Sequence, residues 1–275
     1  RDLVRSRGLG DVYKRQMHNS CSMKKIIDFL VKENRQLNEN MFLLSLYSEE
    51  LPSLRPGQFV NVKVEDSPAT FLRRPLSVYD VDEENKLLFL FIKIAGAGTQ
   101  RLSRLKANER LNLILPLGNS FSIPQKGRCL LVGGGVGIAP LLYLSKEMHK
   151  KGLTPDLLIG VRSKNDIVLE DSFRQYAQLY YTTEDGSFGE KGYPTQHSLL
   201  ANQYDHIFCC GPEPMMKAVA KYAAARQVDC EVSLENLMAC GIGACLCCVT
   251  DTTAGHKCVC TEGPVFNIKD LKWQI

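Results

Sequence analysis

The chain has 275 residues, 44% of them hydrophobic and 23% charged, with a formal charge of +4. These are the proportions of a globular protein long enough for two or three domains, and they exclude disorder over most of the length. No run approaches the ~20 apolar residues that cross a bilayer, and residues 1–16 supply three of the four net charges, so no clustered positive charge remains for nucleic acid.

Arg1–Gln16 does not begin with Met, lacks the apolar core of a signal peptide and precedes possible starts at Met17 and Met23. It reads as translated upstream sequence, and residues 1–22 as a leader outside the folded domains. Without a signal peptide the protein is expected in the cytoplasm.

From 23 to 125, short apolar segments (Phe42–Tyr47, Phe59–Val64, Leu76–Tyr79, Leu87–Ile94, Leu111–Leu115) are punctuated by Gly and Pro. Such spacing predicts an antiparallel β-barrel, interrupted by one helix near Gly98–Leu105. Phe71-Leu-Arg-Arg-Pro-Leu-Ser77 places two guanidinium groups just before a strand, and Arg suits bidentate phosphate contact. Gly96-Ala-Gly98-Thr99 adds a small-residue turn entering a helix, a second anion site. Alone the arginine motif could be a surface turn; ahead of a nucleotide domain it reads as a flavin phosphate site.

From 126 to 230, apolar strands alternate with helical patterns, which implies a parallel sheet with helices on its faces. Val132-Gly-Gly-Gly-Val-Gly-Ile-Ala-Pro140 follows a predicted strand and opens a helix. Gly133, Gly134, Gly135 and Gly137 would let a pyrophosphate approach the backbone, at a helix N-terminus that favours anions. The spacing is not that of the common dehydrogenase fingerprint, so another dinucleotide-binding family is indicated. Cys209-Cys210-Gly211-Pro212-Glu-Pro214 forms a second strand-to-helix turn, expected beside the first.

From 231 to 275 the chain is too short for a large core of its own, so a cofactor is expected to organise it. Six of the 11 cysteines fall within Cys240–Cys260. Cys240, Cys245 and Cys248 make C-x4-C-x2-C, a spacing used by plant-type 2Fe-2S proteins. Gly241, Gly243 and Ala244 are small enough for backbone N–H groups to reach the sulfurs. Cys258 and Cys260 compete for the fourth place, Cys247 is an extra thiol, and a four-cysteine zinc knuckle is the competing site type.

A barrel with Arg74-Pro75-Leu76-Ser77, a G-G-G-x-G nucleotide domain with Cys-Gly-Pro, and a 2Fe-2S tail resembles the ferredoxin-reductase superfamily. More closely, Glu235-Asn-Leu-Met-Ala-Cys240 through Cys248, with Cys260-Thr-Glu-Gly-Pro-Val-Phe266, resembles the electron transfer subunits of NAD-dependent (class 1B) dihydroorotate dehydrogenases. The likeness covers Met23 to Ile275; one departure is a short segment of eleven residues, Val249 to Val259, between the last two ligands. The resemblance implies an α+β multidomain fold: an antiparallel β-barrel FAD domain, an α/β parallel-sheet NAD domain and a small C-terminal 2Fe-2S domain. It carries the fourth ligand to Cys260, and FAD contacts to Arg74, Pro75, Leu76, Ser77, Ile92, Lys93, Ile94, Gly98 and Thr99. It implies an FMN-containing catalytic partner that oxidises dihydroorotate, in a heterotetramer of two copies of each chain, with electrons passing from FMN through the cluster and FAD to NAD⁺. Cys210 would then either lie near the nicotinamide or pack as a small apolar residue. Arg162-Ser-Lys164 follows the second strand of the nucleotide domain, where a 2′-phosphate could be read, but the resemblance favours NAD. Another NAD(P)H-dependent flavin/iron–sulfur reductase of the ferredoxin-NADP reductase type is the alternative.

Overall fold

The computed structural model describes residues 23–273; the leader expected at residues 1–22 lies outside them. Seven strands form the first sheet: β1 (Lys25–Asn38), β2 (Met41–Tyr47), β3 (Phe59–Val62), β4 (Arg74–Ser77), β5 (Asp80–Asp82), β6 (Leu87–Lys93) and β7 (Arg110–Leu117). Helix α1 (Ala97–Leu102) precedes β7. All pairs are antiparallel, in the order β4-β3-β7-β1-β2-β6-β5. Alternation drives the curl: Leu111, Leu113 and Leu115 of β7 meet Phe29, Val31, Leu44, Leu46, Leu88 and Leu90 in one apolar interior. Strand β1 is not among the predicted segments, because only Ile27, Phe29 and Val31 of its 14 residues are fully buried.

The second sheet begins with β8 (Cys129–Gly134), followed by a single 3₁₀ turn at Gly135–Ile138 and α2 (Ala139–Lys150). β9 (Asp156–Val161), α3 (Glu170–Arg174), β10 (Gln178–Thr183), the short β11 (Glu190–Lys191), β12 (His206–Cys210), α4 (Glu213–Ala225) and β13 (Asp229–Ser233) follow. After a long loop come the hairpin β14 (Val249–Thr252) and β15 (Gly255–Cys258), α5 (Val259–Glu262) and β16 (Val265–Asn267). The sheet order is β11-β10-β9-β8-β12-β13-β16, parallel throughout except for β16 at the edge. The chain proceeds from β8 to β9 on one side and later to β12 on the other, so the carboxyl ends of β8 and β12 flank the crevice where open α/β sheets bind ligands. Strand β13 crosses residue 230, and β16 returns to the same sheet. The cysteine-rich segment is therefore an excursion from the sheet edge.

The two sheets are held together by few but specific contacts. Tyr143 of α2 donates its hydroxyl to the Leu54 carbonyl at 2.9 Å. Lys146 of α2 meets the Asp80 carboxylate at 2.6 and 2.8 Å. Burial raises the Asp80 pKa, and Lys146 opposes the rise. Asn119, just after β7, donates to the carbonyls of Glu262 and Val265 and accepts from the Val265 N–H, pinning the segment after Cys260 to the barrel. Among the described residues no helix is long and apolar enough to cross a membrane.

Candidate functional site

The glycine turn after β8 and the Cys-Gly-Pro turn after β12 lie side by side, since Cys210 pairs with Gly133 across the parallel ladder. They touch backbone to backbone. A Cβ on Gly137 would stand 2.3 Å from the Cys210 carbonyl oxygen, and one on Gly211 2.9 Å from the Gly134 nitrogen. Gly134 likewise abuts Pro212 and Met215. Gly135 differs: its φ is +55°, and nothing lies within 4 Å of an added Cβ. It opens onto a cleft of about 500 Å³ lined by Gly134–Val136, Arg162, Glu184, Pro212 and, from the barrel, Met41 and Lys93.

The wall at the ends of β9 and β10 separates the two cations singled out in the sequence. Arg162 lines the cleft. Lys164 does not; its ammonium sits 5.6 Å over the Phe188 ring, and its backbone N–H donates to Ser187 Oγ at 2.8 Å. Asp166 and Glu184 bring carboxylates to the same wall. Asp166 also accepts from the Ser163 N–H.

On the barrel side, the two arginines of the motif part company. Arg73 turns inward and donates to the carbonyls of Asn61 and Asn112 and to the Asn112 side chain, at 3.2, 3.0 and 2.6 Å. Arg74 bonds only the local Leu72 carbonyl and runs past Gly98, where an added Cβ would lie 3.3 Å from its Cδ. The structure thus brings Arg74 to the Gly98-Thr99 turn. The Thr99 hydroxyl accepts from the N–H groups of Ala95 and Gly96, closing that turn. Pro75, Leu76 and Ser77 are half-buried along β4. Ile92 is buried in the barrel interior, so it can offer a ligand only its backbone, Lys93 is exposed, and Ile94, just past the strand, donates its N–H to the Asn40 carbonyl.

Cys210 is fully buried, and burial pushes its thiol pKa far up, with the negative charge of Glu235 adding to the rise. Glu235 is exposed to solvent, yet desolvation by the atoms packed around it raises its own pKa. It stands two residues beyond the carboxyl end of β13. That position in a parallel sheet is the signal that could have found it.

The cysteine loop is shaped by left-handed residues, with φ of +70° at Gly241, +87° at Gly243 and +58° at Leu246. This path turns N–H groups inward. Those of Ile242, Ala244 and Cys245 point at Cys240 Sγ at 3.4, 3.3 and 3.4 Å. Desolvation works against ionisation of Cys240, but these donors and the Cys245 thiol outweigh it and bring its pKa to about 6. Such donors stabilise a thiolate, as cluster ligation requires. The Cys260 N–H reaches Cys248 Sγ at 3.4 Å. Burial and the adjacent Cys248 thiol push Cys260 up to about 12, offset in part by an N–H bond from Gly243. The thiols thus stand as two pairs, Cys240 with Cys245 and Cys248 with Cys260. Two pairs suit two bridged irons. Cys258 also lies against Cys248, but only Cys260 is bonded by the wrapping loop; Cys247 is exposed.

A family model described as the iron-sulfur cluster binding domain of dihydroorotate dehydrogenase B matches residues 235–272, and one described as an oxidoreductase NAD-binding domain matches 131–221. The chain is 40% identical over 238 residues to the dihydroorotate dehydrogenase B (NAD(+)) electron transfer subunit of Clostridium acetobutylicum, covering 86% of this chain and 93% of that one. It is 35% identical over 259 residues to that of Fusobacterium nucleatum, covering 90% and 99%. Among solved structures, an NADH-dependent reduced ferredoxin-NADP oxidoreductase described for flavin-based electron bifurcation aligns with a TM-score of 0.82 at 31% identity, over 89% of this chain and 90% of that one. The ferredoxin reductase of carbazole 1,9a-dioxygenase shares the fold, with a TM-score of 0.65 at 21% identity over 76% and 68% of the two chains. The identity, extending from the barrel through both nucleotide turns to the cysteine loop, shows that this chain belongs to the family of dihydroorotate dehydrogenase B electron transfer subunits.

Proposed function

We propose that this chain carries electrons between an FMN-containing, dihydroorotate-oxidising catalytic subunit and NAD⁺, using FAD and a 2Fe-2S cluster. The observation that carries this reading is convergence. The glycine turns form a cleft that takes Met41 and Lys93 from the barrel, and the cysteine loop is bonded to Asn61, which pairs across the ladder with Pro75 of the arginine strand. We assign residues 23–125 to the FAD domain and the second sheet, with β13 and β16 at its edge, to the NAD domain, so that the cluster segment begins after Ser233 rather than at residue 231. The partner assembly is a heterotetramer with two copies of each chain. The ten free cysteines among the described residues suit a reducing compartment, the cytoplasm.

The residues fit these groups. Arg74 and the Gly98-Thr99 turn offer a cation and backbone donors to FAD phosphates, while Pro75, Leu76, Ser77 and the Ile92–Ile94 edge line its bed. Gly134, Gly135 and Pro212 line the cleft that would take the NAD pyrophosphate, with Gly135 leaving its backbone open, while Gly133, Gly137 and Gly211 are buried and let the two turns close together beneath it. Cys240, Cys245, Cys248 and Cys260 supply the four thiolates. When bound, the flavin exchanges a hydride with nicotinamide and the cluster passes electrons singly. The protein's own part is orientation and proton control. Cys210 stays a buried, neutral thiol at the end of β12, and Glu235, with its raised pKa, can hold a proton near it. Glu184 places a carboxylate where a ribose diol is welcome and a 2′-phosphate is repelled, which favours NAD over NADP.

The test is co-purification with the FMN subunit followed by anaerobic titration. Dihydroorotate should bleach the flavin absorbance, and NAD⁺ should restore it. A complex that dihydroorotate cannot reduce, while NADH still can, would overturn the substrate and select the second reading. That reading, a flavin/iron–sulfur reductase with a different electron partner, is favoured by the likeness to the ferredoxin-NADP oxidoreductase.

A further inference from the structure

Strand β3 reads Phe-Val-Asn-Val, and all four residues are buried. Val60 and Val62 point into the barrel interior. Asn61 points the other way and is only 1% exposed. A single amide in an otherwise apolar strand needs a reason, because each buried polar atom must find a partner. Its Nδ2 has one: it donates to the carbonyl of Cys240 at 3.3 Å. Its Oδ1 is buried and has no protein partner among the described residues.

The neighbours of Asn61 make this contact specific. On one side it pairs across the ladder with Pro75, inside the Arg74–Ser77 strand. Its own carbonyl receives the Arg73 guanidinium. On the other side is the cysteine loop. Gly241 has φ +70°, and a Cβ there would lie 2.6 Å from Asn61 Nδ2. Only glycine permits this approach. The register between β3 and β7 also slips between Phe59 and Asn61, an irregularity of the kind that re-aims a side chain. One residue therefore touches both the strand assigned to the flavin and the loop assigned to the cluster.

We propose that Asn61 is a positioning residue that fixes the cluster loop against the flavin strand and thereby sets the coupling between the two redox groups. The inference rests on the flavin and cluster assignments above. It predicts that the side chain acts on the Cys240 end of the cluster, since that carbonyl belongs to a ligand.

The test uses the full chain loaded with FAD and cluster, comparing wild type with Asn61→Leu, which keeps the branched shape and removes the donor. The variant should retain FAD. The electron paramagnetic resonance signal of its reduced cluster and the cluster midpoint potential should both shift. After mixing with NADH, cluster reduction should lag flavin reduction more than in wild type, by up to about a hundredfold, the scale of an ångström-level misplacement. Gly241→Ala, which pushes the same contact from the loop side, should give the same signature. Loss of the cluster with FAD retained would equally support the assignment. A loaded variant with wild-type resonance signal, potential and lag would overturn it. So would joint loss of FAD and cluster, which would make Asn61 a barrel-core residue. A wild-type chain that takes up neither group would instead refute the underlying cofactor assignments.

Discussion

Gly137 offers the sharpest quantitative test of how the two nucleotide turns fit together. A methyl group there would lie 2.3 Å from the Cys210 oxygen, 2.6 Å from its carbonyl carbon and 2.6 Å from Gly211 Cα. All three are backbone atoms of the neighbouring turn, so no side chain can swing aside. Ordinary carbon contacts are about 3.5–4.0 Å, and the turns would have to part by about 1 Å. Overpacking of this kind costs about 1–3 kcal/mol. For a chain of this size, melting falls by about 2–4 °C per kcal/mol. The same movement distorts the floor of the cleft, and KM for NADH should rise by about tenfold or more. Gly135→Ala is the control. Its φ of +55° makes alanine cost about 1–2 kcal/mol, yet no atom lies within 4 Å of the new methyl. That variant should clash with nothing in the protein while its methyl intrudes on the bound dinucleotide. Thermal melts and anaerobic NADH oxidation read both variants. A Gly137→Ala protein with unchanged melting temperature and KM would refute the abutting-turn geometry.

Other consequences follow from single contacts. Arg74→Ala should weaken FAD retention on gel filtration with little change in melting. Arg73→Ala should lose about 2 kcal/mol of stability, because three hydrogen bonds from a charged donor disappear. Lys146→Ala leaves Asp80 four-fifths buried and unpaired, at a cost of about 2–3 kcal/mol at neutral pH. The folded-state pKa of Asp80 is already raised by burial, so the lone carboxyl takes up a proton as pH falls through that raised value, and denaturant melts should show the deficit shrinking on acidification. Glu184→Arg should improve kcat/KM for NADPH relative to NADH by about tenfold to a hundredfold, the worth of one charge-assisted contact.

The nucleotide sheet was legible because β8, β9 and β12 are largely apolar runs, of which β8 and β12 end in glycine turns, a pattern local in sequence. The barrel was legible except for β1, whose outer half is polar on both faces and carries no alternation, and for β5, a three-residue strand reading Asp-Val-Asp. The cysteine spacing pointed to a cluster, but only the resemblance chose Cys260 over Cys258; the Gly243 N–H that favours Cys260 comes from a loop 17 residues away and has no sequence signature. The return of Val265–Asn267 to the sheet edge was hidden for the same reason, being held by Asn119 and Pro264 across long separations. Arg73 and Arg74 are adjacent and chemically identical, so only three-dimensional placement could separate the inward one from the free one. Asn61 likewise acquires meaning only when distant segments meet.

The central claim is that four thiols, from Cys240, Cys245, Cys248 and Cys260, hold a two-iron cluster. It is tested most directly by iron and sulfide analysis with visible spectroscopy on anaerobically reconstituted protein. The account predicts about two irons and two sulfides per chain, with absorbance that Cys260→Ser abolishes and Cys258→Ser leaves intact. A colourless protein holding one zinc per chain, or a cluster that survives Cys260→Ser and is lost in Cys258→Ser, would contradict it.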